Sequence, residues 1–141
     1  MSDSPHVMIP KPDELDLEFF QAVVNAGALR VQHCKACGSW THPPRYYCPE
    51  CASGDFEFAA PGGRATVYSW TVSHFSVEPA WKAFVPYVTI VAELAEGPRL
   101  IATARNIKPE DLAIGMQIRI VPESKGPDFA IFWAEPAGTG S

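Results

Sequence analysis

Hydrophobic residues recur at helical spacing near the start of the chain. They follow a proline-containing stretch over residues 1–12 that shows little apolar periodicity. The apolar positions that match the 3.6-residue period of an amphipathic helix are Leu15, Phe19, Phe20, Val23 and Val24. Asp13 is suited to the N-cap and Gly27 to the C-terminal stop. The pattern predicts one helix with a single apolar face, preceded by an arm without regular structure.

From residue 64 onward the hydrophobic period changes to two, which is typical of β-strands. Five segments show it: RATVYSWTVSHF from Arg64, YVTIVAEL from Tyr87, LIATAR from Leu100, MQIRIV from Met116 and FAIFWA from Phe129. The residues expected to share one face are Tyr68, Trp70 and Val72; Val88, Ile90, Ala92 and Leu94; Met116, Ile118 and Ile120; and Phe129, Ile131 and Trp133. Between the third and fourth segments, KPEDLAIG predicts a short helical turn.

The order of these elements predicts a mainly β protein whose second half is a barrel. Three strands, a helical connector and two further strands are what a five-stranded OB-fold Greek-key barrel produces. An SH3-like barrel or a small sandwich is the competing interpretation. The predicted boundaries are residues 1–30 for the arm and helix, 31–62 for a cysteine-containing ribbon, 63–136 for the barrel and 137–141 for a tail.

Composition limits the partners that the chain can have. With 141 residues, of which 47% are hydrophobic and 19% charged, the chain has the profile of a folded globular protein. The formal net charge is −5 and no two of the 11 lysines and arginines are adjacent, which argues against a duplex-binding surface. No apolar run approaches the roughly 18–20 residues of a membrane span, and no signal peptide is visible. We therefore expect a cytoplasmic protein that does not contact membranes.

The four cysteines of the chain form two Cys-x-x-Cys pairs within one short segment. Cys34 and Cys37 precede Cys48 and Cys51, with ten residues between the pairs. Four thiolates at this spacing are typical of a tetrahedral zinc ribbon in which no coordination position stays open, so we expect a structural Zn²⁺, with iron as a possible substitute, and no organic cofactor. A thioredoxin-like redox role would leave the second pair unexplained.

A metal bound by these cysteines would support the loop SWTHPPRYY, which lies between the two pairs. Candidate contact residues in the loop are Trp40, Arg45, Tyr46 and Tyr47. The Arg45 guanidinium is suited to a phosphate, to a carboxylate on a partner, or to an internal salt bridge. The chain has four histidines; His33, His42 and His74 are more readily explained by ordinary hydrogen bonding than by catalysis or metal ligation.

The connector SVEPAWKAFVPYV between the first two barrel strands is unusually rich in large apolar residues. Trp81, Phe84 and Tyr87 either plug one end of the barrel or form an apolar patch for a partner or an acyl chain. We favour the patch, because tryptophan and tyrosine are enriched in protein interfaces. Lys82 beside them is suited to a phosphate.

Several motifs together resemble a known family. The N-terminal helix, LRVQHCKACG, PPRYYCPEC, GGRATVYSWTVSH and IGMQIRIV are similar to proteins that join a rubredoxin-like zinc ribbon to an acyl-CoA-associated OB-fold, long filed as a domain of unknown function. The resemblance covers roughly residues 13–135. It implies a companion subunit of a thiolase-superfamily enzyme. In bacterial steroid side-chain breakdown, such a pair serves the retro-aldol cleavage of an acyl-CoA.

Two functions of different classes follow. The first is an accessory subunit, without catalytic activity of its own, that docks on a thiolase-fold enzyme in a hetero-oligomer and helps to bind or guide the CoA thioester. The chain shows no recognisable set of nucleophile, base and oxyanion donors. The alternative is a single-stranded nucleic-acid-binding or general protein-interaction module, because aromatic residues on OB-folds stack bases.

Overall fold

A computed structural model of the protein describes residues 8–138, so the first seven residues of the predicted arm and the last three of the predicted tail lie outside it. The elements, in chain order, are helix α1 (Glu14–Ala26), strands β1 (Val31–Cys34), β2 (Trp40–Thr41), β3 (Phe56–Ala59) and β4 (Arg64–Ser73), the short helix α2 (Pro79–Lys82), strands β5 (Tyr87–Leu94) and β6 (Arg99–Ala104), a 3-10 turn (Pro109–Asp111), and strands β7 (Gln117–Ser124) and β8 (Ala130–Pro136).

The predicted N-terminal helix is confirmed by α1. Asp13 occupies the N-cap position, although its side chain makes no capping hydrogen bond, and Gly27 ends the helix in a left-handed conformation with φ 62°. The Gly27 N–H donates to the carbonyl groups of Val23 and Val24, which satisfies the last turn. No helix between residues 8 and 138 has the length and apolarity needed to cross a membrane.

The second half of the chain is the predicted OB-fold. Its five strands close a barrel in the order β4-β5-β6-β8-β7, and β7 pairs back onto β4. Every pairing is antiparallel except that of β6 with β8. This closed Greek-key order excludes an open sandwich. The largest fully buried side chains of the barrel interior are Val67, Ile90, Leu94 and Ile118.

The prediction that Tyr68 shares a face with Trp70 and Val72 is wrong. The pairing of β4 with β5 shifts register between Val67 and Ser69, so a β-bulge falls at Tyr68. Val67 points into the core, Tyr68 is 45% exposed, and Trp70 and Val72 pack against the core again after the bulge. The extra residue shifts the inward-facing positions from Ala65 and Val67 before the bulge to Trp70 and Val72 after it, so one period of two does not describe the whole strand.

The face predicted for the last strand is also wrong. Ala134 belongs to the barrel core and Phe132 packs against it, whereas Trp133 is buried on the opposite face. There the Trp133 indole donates to the Glu123 carboxylate at 2.8 Å, and the Arg105 guanidinium lies 4.9 Å from the ring centroid. Because both faces of β8 are covered, its apolar residues do not show which face is inward.

Candidate metal centre and displayed loop

The four cysteine sulfurs form one cluster at the end of a three-stranded antiparallel sheet. The sheet has the order β2-β1-β3, and its central strand β1 ends at Cys34. All four sulfurs lie within 4.8 Å of one another, and the pairs Cys34–Cys51 and Cys37–Cys48 are each 3.6 Å apart. Sulfurs about 2.3 Å from a tetrahedral zinc ion would be about 3.8 Å apart, so the donor set fits a metal of that size.

The first Cys-x-x-Cys pair is a tight turn that presents its sulfurs through backbone hydrogen bonds. The Gly38 N–H donates to the Cys34 carbonyl at 2.9 Å, and the Cys34 N–H donates to the Ser39 carbonyl at 2.9 Å. The Cys37 N–H lies 3.5 Å from the Cys34 sulfur. Such bonds orient ligand sulfurs and offset their negative charge.

The second Cys-x-x-Cys pair, between strands β2 and β3, forms a turn of the same geometry. The Ala52 N–H donates to the Cys48 carbonyl at 2.8 Å, and the Cys48 N–H donates to the Ser53 carbonyl at 2.8 Å. The Glu50 N–H lies 3.4 Å from the Cys48 sulfur. Two equivalent turns that face each other supply all four ligands, so the cluster is a structural metal-binding site without an open position for water or substrate.

Two of the sulfurs have pKa values that their surroundings shift in opposite directions. Hydrogen bonding with the side chain and backbone of Ser39 lowers the pKa of Cys37 to about 6. For Cys51, the backbone hydrogen bond from Ser53 lowers the pKa, but desolvation and the neighbouring thiols outweigh it and raise the pKa to about 12. Four adjacent thiolates repel one another, and a divalent cation removes that repulsion.

Gln32 is a site residue that the sequence analysis missed. Its side chain, only 5% exposed, donates from Nε2 to the Arg45 carbonyl at 2.6 Å and accepts the Arg45 N–H at Oε1 at 2.8 Å. This two-bond clamp attaches the Pro-Pro-Arg segment to the strand that ends at Cys34. A glutamine in a short strand gives no sequence signal of such a role, because most glutamines are exposed.

The clamped loop displays polar and aromatic side chains. Arg45 is exposed and forms no ion pair with another residue between 8 and 138, so the predicted internal salt bridge is not seen there. Tyr47 is 70% exposed, and the Tyr46 hydroxyl donates to the Glu14 carboxylate at 3.2 Å. Trp40 differs, because it is half-buried and packs against the barrel core.

The three histidines considered from the sequence lie outside the sulfur cluster. His33 Nδ1 lies 3.3 Å from the Glu57 carboxylate, and its ring contacts Trp40 in a tilted arrangement with 4.6 Å between the centroids. His42 is half-buried with its ring centroid 5.1 Å from that of Phe19, and this burial lowers its pKa. His74 is exposed.

The connector between β4 and β5 has a packed part and an exposed part. Trp81, Phe84 and Tyr87 are half-buried, and the Trp81 ring contacts the other two, with centroid distances of 6.0 Å to Phe84 and 5.1 Å to Tyr87. They line a cavity of about 120 Å³ beside the barrel, and Lys82 is exposed next to them. The most exposed apolar side chains of this region are instead Phe75 at 76% and Val77 at 78%.

A four-sulfur ribbon joined to a closed five-stranded OB barrel defines a class of proteins, and comparison with known proteins gives the family. The family described as "ChsH2, rubredoxin-like zinc ribbon domain" matches residues 23–57 of the sequence, and the family described as "ChsH2, C-terminal OB-fold domain" matches residues 59–122. The chain belongs to this ChsH2-type DUF35 family of zinc-ribbon and OB-fold proteins. The family expected from the sequence motifs is therefore confirmed.

Among curated relatives, a 3-oxo-4,17-pregnadiene-20-carboxyl-CoA hydratase alpha subunit of Mycobacterium tuberculosis is 33% identical over 94% of this chain and 41% of its own length. A probable enoyl-CoA hydratase alpha subunit of Thermomonospora curvata is 35% identical over 81% of this chain and 35% of its own length. A DUF35 domain-containing scaffold protein of Methanocaldococcus jannaschii is 38% identical over 62% of both chains. The chain thus spans less than two thirds of these relatives.

Among solved structures, a chain of the Ltp2-ChsH2(DUF35) aldolase superposes with a TM-score of 0.80 and 32% identity. The match covers 92% of this chain and 100% of that chain. A DUF35-family protein of Sulfolobus solfataricus matches with a TM-score of 0.54 and 18% identity, which shows the fold alone.

Proposed function

We propose that this protein is a non-catalytic accessory subunit of a thiolase-fold enzyme that acts on an acyl-CoA. The observation that carries the proposal is the structural match to a subunit of the Ltp2-ChsH2(DUF35) aldolase, which covers the whole of that subunit's chain. The relatives named as CoA hydratase alpha subunits and as DUF35 scaffold proteins support the same assignment. The substrate class to test first is a steroid-derived acyl-CoA, with retro-aldol cleavage as the reaction.

The geometry supports a binding role. The clustered sulfurs offer four protein ligands and leave no position at which a metal would activate water. Docking needs exposed aromatic and cationic side chains on a rigid support, and the loop with Arg45, Tyr46 and Tyr47 provides them. The ribbon is therefore the docking platform of the proposal, and its metal is zinc.

The proposed contacts to the partner or to CoA come from two places. Trp40, Arg45, Tyr46 and Tyr47 belong to the ribbon loop. Trp81, Lys82, Phe84 and Tyr87 belong to the connector beside the barrel. Arg45 is the strongest candidate among them, because its guanidinium is exposed and forms no ion pair with another described residue, and because guanidinium binds phosphate and carboxylate in two-bond geometry.

The test is reconstitution with a thiolase-fold enzyme from the same organism. Acyl-CoA cleavage and condensation are measured for each chain alone and for the mixture, with Arg45→Ala as the site variant and Lys108→Ala as a surface control. We expect activity or stable expression of the partner only in the mixture, and a loss with Arg45→Ala alone.

Turnover by this chain alone, or full partner activity without it, would contradict the proposal. Salt-sensitive retention on single-stranded oligonucleotides would instead favour the nucleic-acid alternative.

A further inference from the structure

Two arginines face each other on the outside of the barrel. Arg64 on β4 and Arg119 on β7 are directly opposite in the antiparallel pairing, while Ala65 and Ile118 beside them point into the core. Like charges in directly opposed positions destabilise a sheet. A group of opposite charge beside the pair would offset this repulsion.

A single carboxylate is shared along this row. Glu135 is opposite Arg119 on β8, and its Oε1 accepts from Arg119 Nη2 at 3.2 Å. Its Oε2 accepts from Arg105 Nη2 at 2.7 Å, and together the two arginines hold the pKa of Glu135 below its usual value against the opposing effect of desolvation. Arg64 has no ion pair with any residue between 8 and 138, so the row of three arginines and one glutamate carries a net charge of +2.

Arg64 and Arg119 also line a groove of about 620 Å³ between the ribbon and the barrel. A third arginine, Arg30, lines the same groove, and its side chain donates from Nη1 to the neighbouring Leu29 carbonyl at 3.0 Å. No acidic residue of the described chain lines the groove. A protein of net charge −5 therefore places half of its six arginines around one groove.

The groove has the walls that a small ligand needs. Pro61, Val121 and Pro122, which are only half-buried, give it an apolar side, and Gly62 and Gly63 allow the backbone of the ribbon-to-barrel linker to approach a ligand closely. Its volume falls within the range of about 300–1,000 Å³ that small-molecule sites occupy. The Gly62 N–H is engaged by Glu96 at 2.7 Å, but Glu96 does not line the groove.

We infer that this groove, which we call the arginine groove (Arg30, Arg64 and Arg119), binds a phosphate-bearing small molecule. Guanidinium groups match phosphate oxygens with two-bond geometry, and a dianion would offset the positive charge that the shared Glu135 leaves uncompensated on Arg64 and Arg119. The apolar wall suits a base or another flat, weakly polar group attached to the phosphate. The site differs from the ribbon loop and the connector of the proposed function and does not depend on a partner protein.

Titration of the isolated, metal-loaded chain with ADP and with inorganic phosphate tests the inference. Calorimetry and thermal unfolding are run at constant ionic strength, with metal content measured throughout. We expect ADP to bind with a Kd below about 1 mM and to raise the Tm through linkage. Phosphate should bind more weakly, because it leaves the apolar wall uncovered.

Arg64→Gln and Arg119→Gln should each weaken ADP binding at least about tenfold, which corresponds to about 1.4 kcal/mol. Arg99→Gln is the matched control, because Arg99 is a barrel arginine paired with Glu93 at 3.0 Å outside the groove, and it should bind ADP normally. Without ligand, Arg64→Gln should raise the Tm relative to Arg99→Gln, because it removes a like-charge pair.

Three outcomes would overturn the inference. They are no ADP binding at millimolar concentrations, equal losses for Arg64→Gln and Arg99→Gln, and binding of a poly-glutamate peptide in preference to ADP. The last outcome would show that the groove recognises an acidic peptide. None of these measurements involves the proposed partner, so the inference can fail while the accessory function stands.

Discussion

Gly38 and Ala52 occupy the same place in two otherwise equivalent turns, and only one of them is glycine. Gly38 has φ 80° and Ala52 has φ 67°, and each directly follows the second cysteine of its pair. A left-handed conformation costs a residue with a Cβ atom roughly 1–2 kcal/mol. At the residue scale, the second turn is therefore strained in a way that the first is not.

Exchanging these residues should shift stability in opposite directions. Ala52→Gly should raise the free energy of unfolding by about 0.5–1 kcal/mol, and Gly38→Ala should lower it by about 1 kcal/mol, because no neighbouring atom lies near the added Cβ and only the backbone is strained. Urea unfolding of the metal-loaded proteins measures both. A destabilised Ala52→Gly variant would show that the second turn is held by other contacts.

His42 makes stability depend on pH. Burial lowers its pKa, Asp16 raises it in part, and its Nδ1 is buried without a hydrogen-bond partner among the described residues. In the unfolded chain this histidine becomes protonated as the pH drops below its ordinary pKa of about 6.5, while in the folded state it is still neutral. Proton binding therefore stabilises the unfolded state, and the fold loses stability as the pH drops.

Stability should therefore fall between about pH 7 and the lowered pKa, by less than about 1.4 kcal/mol per pH unit. His42→Phe should flatten this part of the curve, whereas His74→Gln, a change on an exposed side chain, should leave it unchanged. The measurement is the free energy of unfolding at intervals from pH 5 to pH 8. An unchanged slope in His42→Phe would assign the pH dependence to other groups.

At the scale of elements, strand β1 links the metal centre to the displayed loop. Its last residue is the ligand Cys34, and two residues earlier Gln32 holds both backbone groups of Arg45. The ribbon sheet therefore fixes the position of the loop. The connector before β5 has a different construction, with its aromatic residues packed together and Phe75 and Val77 left exposed.

Gln32→Leu should free the loop while leaving the metal in place. It removes both hydrogen bonds to Arg45, at a cost of about 1–3 kcal/mol for the unsatisfied backbone groups. We expect unchanged metal content, faster proteolysis near Arg45 and weaker binding to the partner. Gln21→Leu, which removes one exposed hydrogen bond to Asp128, is the control. Loss of metal in Gln32→Leu would show that the clamp also supports the sulfur cluster.

Mutations in the two parts of the connector should have different effects on stability and on partner binding. Phe75→Ser should weaken partner binding with little change in Tm, because the side chain is 76% exposed. Trp81→Ala should lower the Tm as well as the affinity, because Trp81 packs on Phe84 and Tyr87. Thermal unfolding and a binding titration are compared for both variants. Normal partner binding by both would remove the connector from the interface.

At the scale of the whole molecule, the ribbon and the barrel share one hydrophobic core. Leu29 and Val31, at the start of the ribbon, belong to the same buried cluster as the barrel residues Ile90 and Ile118, and Trp40 packs against it. Helix α1 adds a second cluster in which Phe19 lies 6.0 Å from Phe132 of β8. The metal site is therefore mechanically connected to the barrel.

Loss of the metal should consequently also destabilise the barrel. Cys48→Ser, or removal of the metal by a chelator, should unfold the ribbon, because metal binding supplies much of the folding free energy of such segments. It should also lower the Tm of the barrel, because Val31 and Trp40 then leave its core. Circular dichroism and amide exchange follow the two regions separately. Barrel exchange rates equal to those of the wild type would show that the barrel folds independently.

Local patterns predict much of this molecule. The 3.6-residue period of α1, the cysteine spacing and the period of two over β5, β6 and β7 lead to the helix, the four-sulfur cluster and the OB barrel. Each of these features is encoded in residues that are close in sequence, because helical periods, metal turns and strand alternation are local.

Contacts between distant segments decided the rest. The bulge at Tyr68 depends on the register of β4 against β5, and the inward face of β8 depends on what covers each side of it. The Gln32 clamp joins residues 13 positions apart, and the arginine groove gathers Arg30, Arg64 and Arg119 from three segments. Such features arise from strand register and packing, which the hydrophobic pattern of a single segment does not contain.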